Sequence, residues 1–312
     1  MGRGGVGGIR KVSELIREGK GWDRNKIKEI FHGSVAELIT KTPISLINKK
    51  DYFVWQHIKD GQYNVRTGYY VAKEEKDSKK EGRICKASTS QDWREDWEAI
   101  WRLPESIKAN IPDTGRGGVR KRITCRPPPK NRLKVNTDAS FHRDTGTAAL
   151  AAVVRDWQGK VITGTTATFK TISPLTAEAQ AYREALILIK NLQIPNCIIE
   201  TDILPLVQAI KARTPIAEAD AIIRDILQLL EEALDVGATW TPRDGNKLAH
   251  QLAAMAAENN LGRQWTMNPP IQLRNTIRSE ASLAKIQHIQ DIQNQVIQNP
   301  VKGTQIRMGH PS

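Results

Sequence analysis

The sequence predicts an α/β fold: a mixed five-stranded sheet flanked by helices, preceded by a small semi-ordered N-terminal region. Three observations predict it. Between residues 131 and 260 the apolar patterns run β-β-β-α-β-α-α-β-α, an order that needs helices packed on the faces of one sheet. Three carboxylates, Asp138, Glu178 and Asp202, sit at strand or helix ends inside stretches that otherwise read as core. Charge is also unevenly placed. Residues 1–131 hold 28 Lys and Arg against 17 Asp and Glu, residues 132–260 hold 13 against 15, and residues 261–312 hold 6 against 2.

The elements follow in order. Strand patterns fall near 132–139, 147–155 and 160–169, and Asp156-Trp-Gln-Gly159 supplies a turn between the second and third. Ser173 is placed to cap a helix whose first position is Pro174. That helix runs to about Asn191, with Leu186, Ile189 and Leu192 inward. A strand at 196–201 leads into a helix from about Ile203, where Pro205 is tolerated in the first turn. Ile222, Ile223, Ile226, Leu229 and Leu230 mark a helix over 216–235. Gly237–Thr241 is the last strand and Asn246–Glu258 the last helix of this block.

The flanks are less regular. Trp22–Phe31 has helical spacing, Asp51–Trp55 has strand character, and 73–96 is a charged, solvated stretch. The expected division is 1–112, partly disordered; 113–130, a basic Gly/Pro linker; 131–260, the α/β domain; and 261–312, a flexible tail. The linker portion Gly115–Lys130 has six Lys and Arg and no acid. It is either a solvated connector or a source of salt-sensitive, sequence-independent affinity for a polyanion.

Bulk numbers narrow the class. The formal net charge of +13 favours a polyanionic partner. Cys85, Cys125 and Cys197 lack paired spacing, which argues against a structural zinc site and a disulfide framework. No apolar run is long enough to span a membrane, and the Gly-rich start lacks a secretory pattern. The expectation is a monomer in the nucleus or cytoplasm.

Buried like charges repel and are costly to desolvate, so a fold keeps three acids together only with a compensating cation. Singly, each has a plainer reading: Asp138 on an edge strand, Glu178 as a first-turn acid, Asp202 as a helix cap. Jointly they read as a metal site for phosphate chemistry.

Five segments appear in an order that resembles type 1 ribonuclease H. More closely, it resembles the plant reverse-transcriptase-like domain related to the ribonuclease H of non-LTR retrotransposons. They are Lys134-Val-Asn-Thr-Asp-Ala-Ser140, Val154-Arg-Asp-Trp-Gln-Gly-Lys160, Ala177-Glu-Ala-Gln-Ala-Tyr-Arg-Glu-Ala-Leu186, Ile199-Glu-Thr-Asp202 and Pro242-Arg-Asp-Gly-Asn-Lys-Leu-Ala-His-Gln-Leu-Ala253. Segments 51–55, 60–69 and Trp97-Glu-Ala-Ile-Trp-Arg-Leu103 resemble the region upstream of the zinc-binding segment in plant retroelement reverse transcriptases, without the zinc ligands. That likeness implies a truncated retroelement remnant.

The resemblance implies Mg²⁺-dependent hydrolysis of the RNA strand of RNA/DNA hybrids, with two ions about 4 Å apart and Mn²⁺ as an alternative. It assigns Asp138, Glu178 and Asp202 as catalytic metal ligands, with His250 as a fourth metal ligand. It implies RNA/DNA hybrid or double-stranded RNA as the partner, met by Ser140, Ser173, Arg243 and Asn246. The sequence departs from the pattern in three places. His250 stands at the fourth acidic position, Arg243 lies near the missing loop histidine, and Ala139 replaces a common Gly. Asp244 is the nearest substitute acid. An inactive nucleic-acid-binding module is the alternative.

Overall fold

The computed structural model describes residues 9, 11–17, 21–47, 53–55, 57–58, 61–80, 125–261 and 265–298. Two compact units are present. One joins Met1–Asp51 to Ile123–Ser312, and the other is Tyr52–Arg122.

The sheet of the larger unit begins with a meander of three long strands. β3 (Leu133–His142), β4 (Thr147–Arg155) and β5 (Val161–Lys170) pair antiparallel. β6 (Cys197–Thr201) and β7 (Val236–Trp240) then pair parallel, giving the order β5-β4-β3-β6-β7 with β3 central. The expected mixed five-stranded sheet is therefore present.

Helices close both faces because the strands alternate. Val135, Ala152 and Val154 face α4 (Pro174–Asn191), α5 (Leu204–Ala212) and α6 (Asp220–Glu232). Ala151 and Val153 face the other way, onto α7 (Lys247–Ala257). The β4 run Thr-Ala-Ala-Leu-Ala-Ala-Val-Val is buried from Ala148 to Arg155. Its small side chains let helices approach from both sides. Ser173 caps α4 by accepting from the Thr176 amide at 3.2 Å.

The C-terminal segment differs from the flexible tail expected of it. Residues Ile271–Gln298 form a helix, α8, and its Leu273 joins the α7-side core with Trp265. Two glycines admit this packing. A Cβ on Gly164 of β5 would stand 2.6 Å from the Trp265 ring. Gly159, at φ +77°, turns the β4–β5 hairpin under α8, where a Cβ would stand 3.0 Å from Ala281 Cα. Glu280 of α8 forms a buried ion pair with Arg155 at the end of β4. The Gln- and Ile-rich composition hid a face that repeats Leu273, Ile277, Glu280 and Ala284 at helical spacing. Residues 299–312 lie outside the described part.

The N-terminal segment belongs to the same unit. A short hairpin of β1 (Ile16–Arg17) and β2 (Gly21–Trp22) precedes α1 (Arg24–Ile30) and α2 (Gly33–Lys41). Leu15, Ile27 and Ala36 form its small core. Asp23 caps α1 by accepting from Lys26. The following chain crosses α4 and α6. There the Ser45 hydroxyl and Leu46 amide donate to Asp225 at 2.6 and 2.7 Å, while Arg183 donates to the Ile44 carbonyl at 3.0 Å. Arg183 and Asp225 are themselves a buried pair at 2.9 Å.

In the second unit, α3 (Val65–Lys80) extends helix into the stretch expected to be solvated. Asn64 accepts from the Thr67 amide at its start, and the Trp55 indole donates to Thr67 Oγ1 at 2.9 Å. Phe53–Trp55 is not a strand. The Trp97–Leu103 segment and most of the basic linker fall outside the described residues.

Candidate metal centre

Three elements converge on one point. Asp138 lies in central strand β3 opposite Ala151, which puts it on the α7 face. Asp202 directly follows β6, the parallel neighbour of β3, and the Trp240 indole donates to its carbonyl at 3.1 Å. Glu178 comes from the second turn of α4, and its carboxyl accepts from the Ala139 amide. One carboxylate oxygen from each of Asp138, Glu178 and Asp202 lies within 4.8 Å of the others. The structure thus brings the three acids together from positions spread over 65 residues of chain.

Burial makes the cluster electrostatically unfavourable by itself. Desolvation pushes Glu178 well above the usual carboxyl range, and Asp138 and Asp202 push it further. Desolvation, and then Asp138, raise Asp202 to about 6. Asp138 is raised by desolvation, against the opposing pull of His250 and Arg243. Glu178 Oε2 and Asp202 Oδ1 are buried with no hydrogen-bond donor among the described residues. Buried acceptors are normally satisfied. Two orphaned carboxylate oxygens in a cluster of three converging acids fit a hard divalent cation, whose preferred ligands are oxygens.

The fourth position is occupied by His250 in the first turn of α7. Its Nδ1 lies 3.1 Å from Asp138 Oδ2, and its side chain is 39% exposed, so it stands at the mouth of the cluster. The hydrogen bond to Asp138 raises the imidazole above its ordinary value. Arg243, on the turn before α7, places its guanidinium 3.0 Å from His250 Nε2. Asp244 lies outside the group, 70% exposed and 4.0 Å from Lys247.

The remaining expected contacts separate. Ser140 is half-buried toward the end of β3. Ser173 Oγ is engaged by the Thr176 amide and by Thr176 Oγ1 at 2.8 Å. Asn246 requires a correction: expected to meet nucleic acid, it is wholly buried. Its amide donates to the Thr137 carbonyl at 2.8 Å and accepts from Asn136 at 3.0 Å. It anchors α7 to β3 and has no face open to a strand.

A network missed by the sequence reading underlies the site. Asn136 also donates toward Glu200 at 3.2 Å and accepts from Arg155 at 2.6 Å, while Lys134 pairs with Glu200 at 3.0 Å. The available signal was the run of polar residues at alternate positions, Lys134, Asn136 and Asp138, on a strand with both faces covered.

Residues 136–256 match the family model described as reverse transcriptase-like. No curated protein matches the chain. Among solved structures, the chain is similar to ribonuclease H1 of the halophilic archaeon Halobacterium salinarum, at 20% identity and a TM-score of 0.39, over 41% of this chain and 98% of that one. It is similar to the N-terminal RNase H domain of a Mycobacterium tuberculosis protein, at 18% identity and a TM-score of 0.38, over 41% and 94%. It is also similar to LC11-RNase H1, isolated from compost and solved with an RNA/DNA hybrid, at 18% identity and a TM-score of 0.38, over 42% and 99%. The five-stranded sheet of order β5-β4-β3-β6-β7, with helices on both faces, is the fold over which residues 136–256 are similar to the reverse transcriptase-like family model.

Proposed function

We propose that this domain is a nucleic-acid-binding endonuclease that hydrolyses the RNA strand of RNA/DNA hybrids with two divalent ions, Mg²⁺ by preference of its oxygen ligands. The observation that carries the reading is the buried cluster of Asp138, Glu178 and Asp202 with two orphaned oxygens. These three side chains hold the ions. Bound divalent ions neutralise charge on the phosphate and acidify a water molecule. The chain's own work is to position the acids: Asp138 through the central strand, Glu178 through the Ala139 amide, and Asp202 through its backbone carbonyl, which accepts from Trp240. Arg243, beside the cluster mouth, offers a cation to a backbone phosphate.

The test is cleavage of a labelled RNA/DNA hybrid by the full chain with Mg²⁺ or Mn²⁺. Strand scission that disappears in Asp138→Asn is expected. Equal scission in parent and variant overturns the assignment.

One observation favours a second reading, a binding module without cleavage. His250 already stands against Asp138, and the Arg243 guanidinium stands against His250. That reading predicts hybrid retention with a steep salt dependence and no scission under either metal.

A further inference from the structure

We propose that the protein carries a second nucleic-acid surface, remote from the metal centre, which grips the sugar-phosphate backbone of a bound hybrid. The inference rests on the nucleic-acid reading above and extends it to another part of the molecule. Three segments build the surface: the chain entering β3, the β4–β5 turn and α8. The first and last lie outside residues 136–256, the part that matches the family model. A small crevice lined by Pro127, Asp156, Gly159 and Ala284 marks where the three meet. Lys130 Nζ stands 5.8 Å from the centre of the Trp157 ring, and that ring packs on His288 of α8 at 4.8 Å. Ala281 of α8 closes on Gly159 in the turn. Arg278 lies three residues before Ala281 and Lys285 four after it, so both flank the turn from the same side of the helix.

Charge gives this junction its partner. Arg126, Lys130, Lys160, Arg278 and Lys285 are all exposed. None of them pairs with an acid among the described residues, because the nearby acids are taken. Glu280 is buried against Arg155, and Asp156 accepts from the Gln158 and Lys160 amides at 2.9 Å. Uncompensated cations gathered in one place attract a polyanion. Arg116, Arg120, Lys121 and Arg122 precede the same segment in the sequence. The turn opens at Asp156, five residues along β4 from Ala151, the partner of Asp138. At the rise of a strand that is about 16 Å from the metal centre. The surface therefore meets phosphates about five base pairs away from the one at the metals. Contacts of this kind carry no sequence preference and are released by salt.

The experiment measures binding of a labelled RNA/DNA hybrid, longer than that span, to the full chain in chelator over a salt series. The test variant is Lys160→Ser/Arg278→Ser/Lys285→Ser. The control removes as much charge from exposed lysines elsewhere, as Lys28→Ser/Lys73→Ser/Lys211→Ser. The slope of log affinity against log salt is expected to fall by about 2–3 in the test variant and by about 0–1 in the control. A charge-keeping variant, Lys160→Arg/Arg278→Lys/Lys285→Arg, is expected to hold the parent slope. Equal slopes in the test and control variants, loss of slope in the charge-keeping variant, or a parent that binds no hybrid overturns the surface. The expected slopes in a parent that cleaves nothing when Mg²⁺ or Mn²⁺ is added support the surface and overturn the catalytic reading alone.

Discussion

His250 Nδ1 and Asp138 Oδ2 are hydrogen-bonded at 3.1 Å, across 112 residues of sequence, where helix α7 packs on the central strand. The bond joins the exposed side of the cluster to its buried side, and it sets how the centre answers to pH and to substitution.

Glu178→Gln is expected to stabilise the metal-free protein. The parent carboxyl is buried, pushed well up by desolvation and by two neighbouring acids, and has an orphaned oxygen. A neutral amide removes one like charge and can donate to Asp138 or Asp202. A gain of about 1–3 kcal/mol at pH 8 is expected from relieving one unpaired buried group. Denaturant melts with and without Mn²⁺ check it: the variant unfolds later in chelator and loses the metal-induced shift.

Metal-free stability is expected to decline as pH rises through the range from about 4 to above 6. Asp202 is raised to about 6 from an ordinary 3.8, so the folded state holds its proton after the unfolded chain has released it. The stability from this group is complete below the unfolded value and is lost as pH climbs through the folded value. His250 is also raised and contributes in the same direction, over the histidine range. Chemical melts in chelator across this window test the sign. Asp202→Asn should flatten the lower part of the slope, and a rise in stability with pH there would refute the account.

Asp225→Ala is expected to cost about 3–5 kcal/mol, because it strands the Arg183 guanidinium in the interior. Deleting residues 1–51 is milder. It removes the Ser45 and Leu46 donors while the ion pair survives, a loss of about 1–3 kcal/mol. Equal melting of the full chain and the truncated chain would refute the clamp.

Trp265→Ala is expected to cost about 3–5 kcal/mol, since the ring fills the space over Gly164 and leaves a void when removed. Gly164→Val should do comparable damage by the opposite route, forcing the ring out. Thermal melts of the two variants, read beside the parent, check both.

Much of this was legible in the chain because local chemistry and fold agree there. Ser173-Pro174 opens α4 as its cap chemistry requires, and the apolar spacing of 222–230 yields the buried face of α6. The acids stood out because they interrupt apolar runs. Asn246 misled because an asparagine that meets a nucleic acid and one that anchors a helix to a strand look alike until the buried partner, Thr137, is known. Arg183 and Asp225 were invisible as a pair: they lie on different helices, and the Ser45 that completes them is 180 residues from Asp225. The tail misled because Gln, Asn and Ser mask an apolar face whose partner is the distant β4–β5 hairpin.

The Glu280–Arg155 pair has a practical consequence. Arg155 passes its second hydrogen bond to Asn136, which bonds Asn246, whose amide grips Thr137, the residue beside Asp138. A clone ended at residue 260 would retain every acidic ligand yet leave that guanidinium without its counter-ion, one strand position from slackening the floor of the pocket. The smallest fragment worth expressing therefore carries the final helix.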